Sequence, residues 1–414
     1  MTEVASGFTG FYRSRFLRVI TMSVVLLQIG IWVRNFAILL FVMERTGNNP
    51  YAVSLISVAE FAPIFVFSFI GGTFADRWRP RQTMVWCDAL SAVSVFIVLL
   101  AIIFGTWEAV FFVTFVSAVL SQFSQPSAMK LFKHHMPGEQ LQQALAMFQT
   151  VIAIFMIIGP VLGTFIYQKF GINYAIGVMG VAFLLSAAVL AFLPPDQAIK
   201  ENTETAFWSE LAAGFRYVWA KKVLTILGGV FMAAGLGVGI ITPLGIFVVT
   251  ERLGLPKESL QWLMMTNGAA MLIGGGIVMG FAGKFAPQKL LAAGQLVSAI
   301  SVVGIGLSTN LYGTLAFQFL CGLVLPAIQV GVNTLILQNS EEVFVGRVNG
   351  VLSPLFMGGM VLAMSMAGWL KAQLSLVIIY KVSGALFFIG MLLTVPLFNL
   401  AVMPKHDHQG IAEE

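Results

Sequence analysis

Residues 19–43 read VITMSVVLLQIGIWVRNFAILLFVM, a run whose single charge is Arg34. A lipid-spanning helix needs about 20 consecutive apolar residues, so this stretch alone can cross a bilayer. Comparable runs follow at 51–73, 83–104, 109–130, 143–167, 173–194, 223–249, 259–283, 288–308, 312–337, 346–370 and 374–402, which makes twelve. Hydrophobic residues form 58% of the 414-residue chain and charged residues 10%, with a mean hydropathy of +0.91. Few charges are left to cover a water-facing surface, and lipid is the solvent this composition suits.

The runs are continuous and too long for the alternating strands of about ten residues in a membrane β-barrel, so the spans are helices. Arg13, Arg15 and Arg18 precede the first span, which is too long for a signal-peptide core and is followed by no small-residue cleavage site. It reads as a retained first helix. The two cysteines, Cys87 and Cys321, sit in separate apolar runs and support neither a disulfide framework nor a metal cluster. His134 and His135 share one loop while His406 and His408 lie in the tail, so no zinc or haem site is expected. No serine–histidine–acid set or phosphate-cradling loop is legible, and neither an enzyme nor a cofactor is expected. The net charge of +5 comes from basic residues in loops at helix ends, where they orient a membrane protein rather than bind nucleic acid.

Counted over alternate loops and tails, sixteen lysines and arginines fall on one side and five on the other, with Arg34 and Lys381 inside spans. By the positive-inside rule, this predicts a multi-pass protein of the cell membrane with both termini cytoplasmic.

The longest interruption begins at Pro194 and Pro195 and divides the spans six and six. The expected organisation is an amino-terminal six-helix bundle at 1–194, a cytoplasmic linker at 195–222, a second bundle at 223–403 and a tail at 404–414. In the linker, Phe207, Leu211, Phe215 and Val218 recur at helical spacing, opposite Glu210 and Arg216. That pattern fits a short amphipathic helix, either at the membrane interface or packed under the bundle. Arg77 and Lys284, and Pro80 and Pro287, are each 207 positions apart, half the chain length. Such internal symmetry is what duplicated transporters retain: two pseudo-symmetric bundles rocking about a central site.

Four ionisable residues lie inside spans: Arg34, Glu60, Asp88 and Lys381. An unpaired charge there costs at least about 2.5–3.5 kcal/mol, so each requires an explanation. Arg34 and Glu60 both lie nine residues from the same end of their spans, about 14 Å deep at 1.5 Å per residue. They are expected to pair, with access to a central cavity. Burial favours the neutral carboxyl and the arginine favours the charged one, which is the minimum chemistry for proton coupling. Arg34 could instead meet an anionic substrate. Gln28, Trp32, Asn35 and Phe36 on the first span, Trp262, Met264, Met265 and Asn267 on the eighth, and Gln318, Gln329 and Asn333 on the tenth would add polar points to an adaptable apolar lining. Lys381 is close enough to a span end to snorkel.

The stretch Gly72-Thr73-Phe74-Ala75-Asp76-Arg77-Trp78-Arg79-Pro80-Arg81 resembles the loop signature of the major facilitator superfamily, with Arg79 where a glycine is usual. The resemblance covers essentially the whole chain. It implies a cytoplasmic latch made by Gly72, Asp76, Arg77 and Arg81, with Asp88 expected to bond Arg77 or Arg81. Gly159-Pro160-Val161-Leu162-Gly163-Thr164 is similar to the glycine–proline signature of the superfamily's exporters, with Thr164 in place of a second glycine. Mechanically, Pro160 bends the helix, while Gly159 and Gly163 admit a close neighbour. The arginine usual in the fourth span of proton antiporters is absent from Thr114–Gln125. The Thr46-Gly47-Asn48 turn, the layout from Phe123 through Pro126 to Leu141, and Phe207, Phe215 and Trp219 in the linker look more like the branch holding macrolide-efflux and siderophore-export proteins.

The resemblance thus implies a secondary active transporter that exports small hydrophobic or amphiphilic compounds, of the multidrug or macrolide type, by alternating access. Its expected partners are a small-molecule substrate, protons and the lipid bilayer, and a monomer is expected. The alternatives are an exporter of a specific metabolite such as a siderophore, and an importer of the same fold.

Overall fold

Prolines and polar caps punctuate the apolar runs. Pro80 and Pro287 each open a helix in its first turn, where the missing N–H costs nothing. Asn310 and Ser375 cap two others by accepting from the backbone N–H of Gly313 and Ile378. Gly47 and Asn48, with φ of 60° and 65°, take the left-handed conformation that turns the chain after the first span.

The computed structural model describes residues 15–136, 138–194, 207–281 and 284–399, with backbone alone for 68–77, 134, 138–140 and 207–211. The helices are α1 (Arg15–Arg45), α2 (Pro50–Arg77), α3 (Pro80–Ile103), α4 (Ala109–His135), α5 (Gly138–Leu190), α6 (Phe207–Ala220), α7 (Lys222–Ile241), α8 (Leu260–Phe281), α9 (Pro287–Leu307), α10 (Leu311–Asn339), α11 (Glu342–Gln373) and α12 (Leu376–Thr394). All but α6 are long and apolar enough to cross a membrane, and the described residues contain no strand. The fold is all-α, as expected.

The fifth and sixth spans are joined without a loop in the 53-residue α5, whose helical geometry breaks at Gly171 (φ 79°, ψ −178°). A straight helix of that length would reach about 80 Å. Instead the chain reverses, because Leu190 and Leu193 at its far end pack with Ala144, Leu145 and Phe148 near its start. Only glycine adopts this backbone conformation without strain, and the break falls in the interval 168–172 that hydropathy leaves between the fifth and sixth spans.

We call the end of the bundle where α1 begins the basic face, and the other end the opposite face. Near the basic face each half keeps its own core. Phe16, Leu17, Met84, Phe132 and Leu190 form one, and Leu224, Leu227, Leu335, Val348 and Leu352 form the other. At the opposite face a single core joins the halves, with Phe36, Leu40, Met43 and Val53 packed among Leu244, Phe247, Leu260 and Ala363. The two halves are closed together there.

The linker helix α6 packs on α11. A Cβ at Gly214 would come within 2.9 Å of the Arg347 carbonyl oxygen, and Tyr217 stacks on Phe344 at 4.1 Å. Val218 is buried, whereas Phe215 and Trp219 face outward. The expected apolar stripe is therefore split, and the packed alternative describes the helix better. Phe207 and Leu211 lie outside the described side chains.

Candidate functional site

Helix α1 distributes its polar and aromatic residues by angle, about 100° per residue. Trp32 and Phe36 face the first arm of α5, and Arg34 turns to α2. Arg34 Nη2 reaches Glu60 Oε1 at 3.1 Å, in a pair whose side chains are 5% and 22% exposed. Asn35 completes the set: its Oδ1 accepts from Arg34 Nε at 2.8 Å, and its Nδ2 donates to Glu60 Oε1 at 3.0 Å. One carboxylate oxygen thus receives two donors, one charged and one neutral, and three polar groups satisfy one another in an apolar setting. Glu60 lies about half a turn around α2 from Tyr51, which touches α11 at Gly368. The structure thus joins Arg34, Asn35 and Glu60. Gln28 stands two turns from Asn35, about 10 Å along the axis, and makes no hydrogen bond among the described residues.

The glycine–proline segment of α5 fits against this same stretch of α1. A Cβ at Gly159 would overlap the Trp32 indole, and one at Gly163 would lie 2.7 Å from the Trp32 carbonyl and 2.8 Å from Phe36 Cβ. The close neighbour expected for these glycines is therefore the helix carrying Arg34. Pro160 is buried within α5, and the Thr164 hydroxyl is buried without a partner among the described residues.

The latch residues Gly72, Asp76 and Arg77 lie at the end of α2, outside the described side chains. Arg81 donates to the carbonyl of Ala191, tying the start of α3 to the end of the sixth span. The expected bond from Asp88 to Arg81 is corrected. Asp88 is 4% exposed, and its Oδ2 accepts from Ser186 Oγ at 2.6 Å. A buried carboxyl takes the nearest buried donor, which here is on α5 and not in the loop.

Sequence reasoning missed the polar cluster at the opposite face. Lys257, from the turn before α8, pairs with Glu44 at the end of α1 over 3.1 Å and donates to the Leu40 carbonyl at 3.2 Å. Tyr167 donates to the same Glu44 carboxylate at 2.9 Å, and Lys371 pairs with Glu251 at 2.8 Å. The available signal was the scarcity of basic residues on that side, which left Lys257 and Lys371 without a topological reason. In the second half Asn267 Nδ2 donates to the Gln318 carbonyl at 3.3 Å, joining α8 to α10, and Trp262 and Met264 are exposed.

A bundle of apolar helices in two halves, closed together at one face and carrying a paired carboxylate inside the first half, defines a membrane transporter. The chain belongs to the Major Facilitator Superfamily, whose family model matches residues 20–247 and 226–413. It is a transporter of small-molecule substrates and not an enzyme. It is similar to the multidrug efflux pump Tap of Mycobacterium tuberculosis, 25% identical over 346 residues that cover 79% of this chain and 80% of that one. It is also similar to the enterobactin exporter EntS of Escherichia coli, 23% identical over 420 residues that cover 95% and 92%. Among solved structures, the nucleoside transporter NupG shares the fold, with a TM-score of 0.76 at 11% identity, covering 93% of this chain and 100% of that one.

Proposed function

We propose that the protein exports small hydrophobic or amphiphilic compounds from the cell by alternating access, in exchange for protons. On this reading it is a monomer in the cell membrane, with the basic face and both termini cytoplasmic. The observation that carries the proposal is the Arg34–Asn35–Glu60 set. A proton bound to Glu60 removes the charge that holds Arg34, and the vacated hydrogen-bonding groups become available to substrate. The carboxyl keeps 22% of its side-chain surface accessible. The direction of transport is supported by the glycine–proline segment behind Trp32 and by similarity to two relatives named as exporters.

Everted vesicles with an imposed pH gradient, assayed with lipophilic cationic dyes and macrolides, test the reading. Gradient-driven uptake by the wild type is expected, and its loss in Glu60→Gln with normal membrane insertion. Flux indifferent to the gradient would end the proton-coupling reading. Uptake confined to a catecholate siderophore would favour the specific-metabolite exporter.

A further inference from the structure

The repeat relating the two halves continues through the third helix of each. Ser91-Ala92-Val93-Ser94-Val95 of α3 returns as Ser298-Ala299-Ile300-Ser301-Val302 of α9, 207 positions on, at the same offset as Pro80 and Pro287. At that offset Asp88 corresponds to Gln295, and the two are 4% and 1% exposed. One half keeps an acid where the other keeps a neutral amide.

The surroundings of Asp88 decide its charge. Ser186 donates to its Oδ2 and, with its one proton so committed, accepts from Ser23 Oγ at 2.8 Å. Toward the basic face, Ile20, Met84 and Leu190 close the seam between α1, α3 and the second arm of α5, each at most 4% exposed. Toward the opposite face Ala92, Met179 and Phe183 close it again. Among the described residues no lysine, arginine or histidine pairs with this carboxyl. Helices α1 and α5 present it with hydroxyls, and the neighbouring titratable group on α3 is the buried thiol of Cys87. A carboxylate between two dry layers costs more in lost hydration than one hydroxyl hydrogen bond returns. The neutral acid escapes that cost and keeps the bond.

We propose that Asp88, Ser186 and Ser23 form a second proton-binding site, distinct from the Glu60 pair, in which the carboxyl is protonated while the α1–α3–α5 seam is shut. Uptake of one proton by the carboxylate gives the neutral acid, and parting of the layer at Ile20, Met84 and Leu190 lets water take the proton back. The site does not depend on Glu60, which has a cationic partner and partial exposure that Asp88 lacks.

Infrared spectra of the full-length protein in lipid nanodiscs at neutral pH read the carboxylic-acid carbonyl stretch. An acid band is expected in the wild type and in E60Q, absent in D88N and shifted in S186A, which loses the hydrogen bond to the acid. In D88E the band should move rather than vanish, which covers the case of a poorly folded D88N. The same acid region in wild type, D88N and D88E would overturn the proposal. So would a band that disappears in E60Q alone. Loss of gradient-driven flux in E60Q tests the Glu60 reading by a different readout, and each can fail without the other.

Discussion

Replacing Lys257 by Gln removes a charge of the second half that grips the end of α1, and its effect can be sized in advance. The pair is 3.1 Å long, but Lys257 and Glu44 are 21% and 65% exposed. Water screens such a pair to about 0.2–1 kcal/mol. The glutamine amide can still donate to the Leu40 carbonyl, so the charge interaction alone is lost. That corresponds to a shift of about 1.4- to fivefold toward opening of the opposite face. The shared apolar core contributes on another scale. Leu244 is fully buried, and burying such a side chain contributes about 1.5–3 kcal/mol. If opening wets this core, Leu244→Ala should shift the same equilibrium about tenfold or more. Val53, 1% exposed in that core, supplies the reporter. As Val53→Cys, in a background lacking Cys87 and Cys321, it should react with a polar maleimide only when the opposite face opens. The labelling rate should rise modestly in K257Q, steeply in L244A, and return toward wild type in the charge swap E44K/K257E. A K257Q effect as large as that of L244A, or no effect of L244A, would refute the assignment of closure to the apolar core.

Three further outcomes follow from the same contacts. Arg34→Met strands the Glu60 carboxylate and should lower stability by about 3 kcal/mol, whereas R34M/E60Q should recover part of the loss, as read by thermal unfolding in detergent. Gly163→Leu forces a side chain into the Trp32 carbonyl and Phe36. The strain of about 1–3 kcal/mol should abolish transport while membrane insertion persists, and normal transport would show that α1 and α5 separate freely there. Arg81→Ala removes one donor to the Ala191 carbonyl, should cost about 1 kcal/mol, and should raise hydrogen exchange at the end of the sixth span without changing substrate recognition.

The fold was legible because lipid imposes one rule on every span, and runs such as 19–43 obey it throughout. The Arg34–Glu60 pair was legible for a related reason: helical rise converts sequence position into depth, and two charges at equal depth on successive spans have few other partners. The break between the fifth and sixth spans was legible in Gln168, Lys169 and Asn173, but its form was not, since hydropathy is blind to the single backbone angle at Gly171 that reverses the chain without a loop. The partner of Asp88 was missed because depth was read without direction. The loop arginines lie near its level, but Ser186 approaches from a helix nearly a hundred positions later in the chain. The Glu44–Lys257 pair was missed because the two residues are 213 positions apart, and contact between surface charges in different halves depends on how the halves close.

The duplication sharpens the question of where the charge resides. At the offset of 207 that matches Arg77 with Lys284, Glu60 corresponds to Asn267 and Asp88 to Gln295. Both intramembrane acids of the first half thus have amides as counterparts in the second. An amide of similar shape can keep a hydrogen bond, as Asn267 does with the Gln318 carbonyl at 3.3 Å, without the desolvation cost of a charge. If the duplicated halves rock as bodies of like shape, that shape is retained on both sides while only one side titrates. On the reading proposed here, proton chemistry is then confined to the first half, and the second moves through apolar closure and neutral hydrogen bonds. The repeat therefore supplies its own internal control: a residue needed for packing should have a counterpart of like shape in both halves, whereas a residue needed for its proton should lose the acid in one.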